Sequence, residues 1–281
     1  MNTGYGFGTN NSTAIANNNI IDPWTGALFS LPGPLVRTEE TNSGLASSLS
    51  GILSMKQGGF VGGGQAGYNY TLSKNYLVGL ETDIQGTSIR GSNATTGFGY
   101  SAVQAEEAGD LELSGANSGG QTSVRAGLNW IGTVRARAGY LWTPSLLTYA
   151  TAGLAYGGAY ANVKNNATVR YFVDGVNGRR GSAGGQQVYG ASSNTDTLVG
   201  YNVGGGFELL LNQNWSLKTE ALYYNLGSMN IRTNSFASAI PWVPARWITG
   251  NTNVNFQGII TRVGLNYHFD FGRAAPVVAK F

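Results

Sequence analysis

Apolar and polar residues alternate with a period of two through most of this chain, a spacing that suits strands and not helices. Phe60, Gly62, Gly64, Ala66, Tyr68, Tyr70 and Leu72 fall on one face, and Val61, Gly63, Gln65, Gly67, Asn69 and Thr71 on the other. Ser73-Lys74-Asn75 makes a tight turn, after which Tyr76, Val78, Leu80, Thr82 and Ile84 stand opposite Glu81, Asp83 and Gln85. Two alternating runs about so short a turn predict a hairpin. Gly62, Gly64 and Gly67 also fit G-x-G-x-x-G, but inside a strand. No helix follows to present amides to a pyrophosphate, so a nucleotide site is set aside.

The same alternation predicts strands near 2–8, 58–72, 76–88, 128–142, 146–163, 197–211, 215–231 and 256–269. Tight turns at 73–75, 143–145 and 212–214 alternate with long connections near 9–57, 89–127, 164–195 and 232–255. All tight turns therefore gather at one end of the strands and all long connections at the other. Loops of that length argue against a compact soluble domain and suit an outer-membrane barrel. The predicted fold is all-β, an eight-stranded antiparallel up-and-down transmembrane β-barrel with three short periplasmic turns and four long extracellular loops. It occupies residues 1–269 as one domain, with a periplasmic tail over 270–281.

Alternation alone does not separate a membrane barrel from a soluble, lipocalin-like barrel turned inside out. Aromatic placement does. Tyr70, Tyr76, Tyr140, Trp142, Trp215, Tyr267 and Phe269 share the apolar face near the short-turn end, as an interfacial girdle requires. Other classes fall to composition. Disorder does not fit a chain with 11% aromatic and only 11% charged residues. A net charge of +3 gives no electrostatic case for nucleic acid. No apolar run reaches the roughly 18 residues of a spanning helix. A secretory leader is expected upstream of this sequence, and the absence of cysteine excludes disulfides and thiolate ligands.

The polar face carries Glu81, Asp83, Glu208 and Glu220 against Arg135, Arg137, Lys218 and Arg262. An eight-stranded barrel is only wide enough for side chains to fill it. The balanced charges therefore predict a paired plug, with a narrow gated conduit as the alternative. Strand adjacency pairs Glu81 and Asp83 with Arg135 and Arg137, and groups Glu208, Lys218, Glu220 and Arg262 separately.

The segments FVGGGQAGYNY, YLVGLETDIQG, NWIGTVRARAGYLW, LLTYATAGLAYGG, VGYNVGGGFELLLNQNWSLKTEALYYNLG and TRVGLNYHF resemble the outer-membrane immunogenic protein family. These are porin-like, OmpA-like eight-stranded barrels of alphaproteobacteria. The match covers six or seven strands and about half the chain. It implies a Gram-negative outer-membrane location and contact with outer-membrane lipid and lipopolysaccharide. It also leaves homo-oligomerisation open, with a conducting porin or a surface adhesin or ligand-binding (for example haem-binding) barrel as alternative functions. Arg262, Gly264, Tyr267 and Phe269 resemble the last-strand signal read by the barrel-assembly machinery, although here a tail follows that strand.

No histidine or cysteine cluster supports zinc or haem ligation, so no cofactor is expected. The one histidine, His268, is placed inside the periplasmic end, the wrong end for lipid-modifying catalysis at the outer leaflet, and no enzymatic activity is expected. Glu106, Glu107, Asp110 and Glu112 read as a solvated loop, with calcium binding as the sharper option. Lys164, Arg170, Arg179 and Arg180 are candidate lipopolysaccharide contacts. Leu45, Leu49, Ile52 and Leu53 recur at helical spacing behind Asn42-Ser43 and predict a short capped helix in the first long connection. Trp242 and Trp247, flanked by Pro241 and Pro244, suggest an ordered fourth loop, and Asn11-Ser12-Thr13 fits a glycosylation sequon of little weight.

Overall fold

The computed structural model describes residues 1–9, 12–19, 38–102, 111–175, 180–237 and 246–269. The acidic residues at 106, 107 and 110, Arg179, Asn11, Pro241, Trp242, Pro244 and the tail from 270 lie outside them. So do the side chains of Glu112, Arg180 and Trp247. The elements are β1 (Asn2–Gly8), β2 (Ser12–Asn19), α1 (Thr38–Leu49), β3 (Gly51–Ser54), β4 (Gly58–Thr71), β5 (Tyr76–Thr87), β6 (Arg90–Ala102), β7 (Leu111–Thr143), β8 (Leu146–Gly175), β9 (Arg180–Leu210), β10 (Trp215–Ala237) and β11 (Arg246–Tyr267).

At the short-turn end, β1-β4-β5-β7-β8-β9-β10-β11 form a ring of eight antiparallel strands, closed by β11 on β1 from Asn2↔Gly264 to Gly8↔Gly258. Local hydrogen bonds fix the turns. Asn212 Oδ1 accepts from the amides of Asn214 and Trp215 at 3.0 and 2.9 Å, an Asx turn. Thr143 Oγ1 accepts from the Leu146 amide at 3.0 Å.

Solvent exposure settles which face is outside. Phe60, Leu80, Ile84, Val134, Leu154, Val199 and Phe207 are exposed, while Glu81, Asp83, Arg135, Arg137, Glu208, Lys218, Glu220 and Arg262 are all buried. An apolar exterior around a charged interior is the membrane arrangement and inverts the soluble one.

The long connections differ from the sequence reading: they are largely strand. β7 and β8 run 33 and 30 residues where alternation placed strands at 128–142 and 146–163. The reason is visible on β8. Its outward residues pass from Ala150, Ala152, Leu154, Tyr156 and Tyr160 to Asn162, Lys164, Asn166, Thr168 and Arg170. Its inward residues become Ala155, Ala159, Ala161, Val163, Ala167 and Val169, all buried. The period stays at two, but the apolar face changes side where the wall leaves the membrane. In this outer tier β2, β3 and β6 replace β1, β4 and β5, giving the order β3-β2-β11-β10-β9-β8-β7-β6. Among the described residues no ladder joins β3 to β6; Asn93 Nδ2 donates across the seam to the Ser54 carbonyl at 2.6 Å.

Helix α1 packs against β6, β7 and β2 at the outer tier. Three glycines let its backbone come close. A β-carbon at Gly99 would collide with the Gly44 carbonyl oxygen, and one at Gly120 would lie 2.8 Å from Ser48 Oγ. Gly97 has the same relation to the Ser48 carbonyl. The predicted helix is displaced: it starts at Thr38, so Asn42-Ser43 lies within it, and Ile52 and Leu53 belong to β3. Ser47, Ser48 and Ser50 explain its end. Their hydroxyls donate back to the carbonyls of Gly44, Leu45 and Ala46 at 2.7–2.8 Å. Of the carbonyls left open by the last turn, Ala46 is met by the Ser50 hydroxyl and Ser47 by the Ser50 amide. In β3 the period is again two, with Leu53 3% and Ile52 80% exposed.

The wall is also interrupted between β9 and β10. The β9–β10 ladder lapses between Asn225↔Tyr201 and Ser235↔Gly190. On its other edge β10 carries an extra residue, Asn225 pairing Gln257 and Ser228 pairing Asn255. Gly227 supplies the positive φ (83°) that this bulge needs.

Candidate functional site

The interior of the ring is the candidate site, and it is filled in layers. Nearest the short turns, Gln65 Nε2 donates to Asn266 Oδ1 at 2.5 Å, and Asn2 Nδ2 to Gln65 Oε1 at 3.1 Å. Glu208 sits above them, accepting from Asn266 Nδ2 (3.0 Å) and Ser216 Oγ (2.6 Å) and paired with Arg137. His268 Nε2 lies 2.8 Å from Ser216 Oγ and 3.6 Å from Glu208 Oε1.

The centre is one interlocked set of charges. Arg135 reaches Glu81 Oε1 at 3.1 Å, Asp83 Oδ2 at 2.8 Å and Glu220 Oε2 at 3.0 Å. Arg262 bonds Asp83 at 2.7 Å and pairs with Glu220. Lys218 pairs with Glu81 and lies 3.4 Å from Glu220. Thr133 Oγ1 donates to Asp83 at 2.9 Å. All eight charged residues singled out in the sequence are in this interior, but they divide differently: six interlock at the centre, and Arg137 pairs with Glu208 beside them. Arg135 and Lys218 tie the β5–β7 side to the β10–β11 side across the lumen.

Register explains the departure. Glu81 does stand beside Arg135, but the β5 partner of Arg137 is Gly79, so Arg137 reaches over to Glu208. Glycine recurs opposite these charges: Gly67 faces Glu81, Gly153 faces Arg135, Gly206 faces Glu220 and Gly4 faces Arg262. The absent side chain leaves each long side chain room to cross a barrel this narrow. Sequence reasoning missed Tyr149, whose signal was its position on the inward face of β8. The Arg137 guanidinium carbon sits 3.8 Å over its ring, and its hydroxyl donates to Glu220 at 3.3 Å.

Above the charges the interior is apolar. Val61, Ile89, Leu128, Ile131, Ala155, Leu226, Phe256 and Ile260 belong to one buried cluster that continues through Val124, Val163 and Ile231. A polar clasp then holds α1. Thr122 Oγ1 and Asn17 Nδ2 donate to the Leu49 carbonyl at 2.9 and 2.7 Å, and Asn165 joins Thr122, Asn17 and Ser235 at 2.9, 3.5 and 3.0 Å.

The girdle residues stand on the outer wall near the short turns. Tyr76–Tyr140, Tyr140–Trp142, Trp215–Tyr267 and Tyr267–Phe269 make edge contacts with centroids 4.8–5.3 Å apart. Tyr70 is exposed there too. A second aromatic level appears ten residues up the strands, with Phe60 above Tyr70 and Trp130 above Tyr140. That spacing matches the roughly 9–11 residues of a spanning strand. Of the residues expected to form an assembly signal, Arg262 and Gly264 lie on β11 within the closing seam against β1, while Tyr267 and Phe269 face out. Lys164 and Arg170 are exposed on β8.

Over 225 residues, 79% of this chain and 71% of theirs, the chain is 34% identical to the 31 kDa outer-membrane immunogenic proteins of Brucella melitensis biotype 1 and Brucella suis biovar 1. No protein-family model matches it. Among solved structures, it aligns over 93% of its length with 97% of Ail, the attachment invasion locus protein of Yersinia pestis, at 10% identity and a TM-score of 0.26. It aligns over 95% of its length with 93% of OprG from Pseudomonas aeruginosa, at 12% identity and a TM-score of 0.33.

Proposed function

Since the chain belongs to the family of the 31 kDa outer-membrane immunogenic proteins, we propose that this outer-membrane barrel serves as a sealed structural and surface-display element. The observation that carries the reading is the continuous filling of its interior. Eight charged side chains close the lower lumen, an apolar cluster fills the next level, and α1 is clasped above it. Ions crossing this path would have to part buried ion pairs, which are costly to break one-sidedly.

The polar constellation around His268 supports a structural role over a catalytic one. Ser216 is 1% exposed and donates its hydroxyl proton to Glu208, and Glu208 approaches the same imidazole nitrogen, Nε2, that faces Ser216. A catalytic triad needs its carboxylate on the opposite nitrogen and its hydroxyl open to substrate. Arg262, Gly264, Tyr267 and Phe269 act as the assembly signal in this reading, because β11 is the strand whose pairing with β1 closes the ring.

Single-channel recording from the purified full chain in planar bilayers tests the sealed lumen. The expected result is a bilayer with no steady unitary current; large, stable steps from the unsubstituted protein would make it a solute-conducting porin instead.

A further inference from the structure

The outer wall at and just above the upper aromatic level carries a run of cations on adjacent strands. On β6–β7–β8, Arg90 pairs in register with Gly127, which in turn pairs with Tyr160; Arg125 pairs with Ser92 and Asn162, and Lys164 with Ser123. Arg90 and Arg125, and again Arg125 and Lys164, are thus diagonal neighbours on one face, about 7–8 Å apart. Lys56 extends the run: it is exposed and lies two residues before Gly58, which pairs in register with Arg90. All four side chains are exposed, and none is held in an ion pair among the described residues. The wall between Arg90 and Lys164 carries no acid: its outward neighbours are Ser92, Ser123, Asn162 and Gly127.

Aromatic side chains fix the height of the run. Trp130 and Tyr156 pack edge to face at 5.9 Å, and the Tyr160 ring overlies Gly127, within 2.9 Å of where its β-carbon would be. Such aromatics mark the level of lipid headgroups. Unpaired guanidinium and ammonium groups at that level and just beyond it meet whatever charge the outer leaflet presents there, and in lipopolysaccharide that charge is phosphate. Arginine donors match phosphate oxygens in pairs, and lysine adds a point charge.

We infer that Lys56, Arg90, Arg125 and Lys164 form a binding site for the phosphates of lipopolysaccharide on the β6–β8 wall. The site keeps Lys164 from the sequence-derived set and adds three cations that the sequence left scattered across distant segments. Arg170 lies six residues beyond Lys164 on β8, too far along the wall to share a phosphate with it. The inference deepens the surface-barrel reading and rests on it for which end faces outward.

Titrating the detergent-folded full chain with diphosphoryl lipid A tests the site, alongside dephosphorylated lipid A and phosphatidylglycerol. The variants are the triple Arg90→Gln/Arg125→Gln/Lys164→Gln and, as a control, Arg232→Gln, an exposed cation on β10. The expected result is at least about tenfold weaker lipid A binding by the triple variant. Arg232→Gln should bind like the parent, and the parent should bind both other lipids weakly. Equal lipid A binding by parent and triple variant overturns the inference, as does equal binding of dephosphorylated lipid A or phosphatidylglycerol, or an equal loss in Arg232→Gln. Should the triple variant fail to fold, Lys164→Gln alone is read by the same criteria. Ion flux through the parent is scored separately, so a leaking barrel that still discriminates lipid A sinks the sealed reading and leaves this one standing.

Discussion

Glu81, Arg135, Glu220 and Arg262 each depend on what a register partner lacks, because a glycine stands opposite each of them. Gly206 faces Glu220 on the neighbouring strand, and a β-carbon there would come within 2.7 Å of the Tyr149 hydroxyl. Gly206→Ala should therefore lower unfolding stability by about 1–3 kcal/mol through overpacking. Gly64→Ala, where nothing lies within 4 Å, should be close to neutral, and urea titration in detergent compares the two. Arg135→Ala is a harsher change. Arg135 is fully buried and bonds three carboxylates, so its removal strands like charges, at a cost of roughly 3–5 kcal/mol. A midpoint shift no larger than that of a surface arginine such as Arg232→Ala would contradict the shared role of these pairs. The sequence shows that these charges point inward, because period two fixes sides. It does not show their partners, because reach across a lumen depends on register, and register is set by pairings that no single strand displays.

At the level of elements, α1 was legible as a helix because Leu45 and Leu49 lie on one face, and illegible at both ends. Its end is set by Ser50, whose hydroxyl and amide meet the open carbonyls of Ala46 and Ser47, a signal hidden among serines that could equally have been loop. The clasp that holds it gives a measurable handle. Asn165→Ala removes bonds to Asn17, Thr122 and Ser235 together, leaving buried groups unpaired at about 1–3 kcal/mol. Hydrogen exchange should then quicken in α1 and in the outer parts of β2 and β7, while amides around Arg135 keep their protection. Uniform quickening through the whole barrel would mean that the clasp and the ion-paired layer are one cooperative unit.

As a whole molecule, the ring closed by β11 on β1 leaves no sheet edge in the membrane, so detergent has no place to begin unzipping it. Unboiled protein should migrate differently from boiled protein on electrophoresis, and identical migration would contradict the closed ring. The ring was legible because the apolar face stays outward through every spanning segment. The outer tier was not, because beyond Tyr160 the same alternation continues with its faces exchanged, and a search for outward apolar residues reads that exchange as the end of a strand. The exchange also sets a length. From Tyr160 to Gly175, β8 continues for 15 residues of paired strand, about 50 Å along the chain at strand rise and about 40 Å along the axis at the usual tilt. With the orientation proposed above, the barrel is therefore a mast: its far strand ends ride clear of the bilayer, and whatever approaches the cell from outside meets them before it meets lipid.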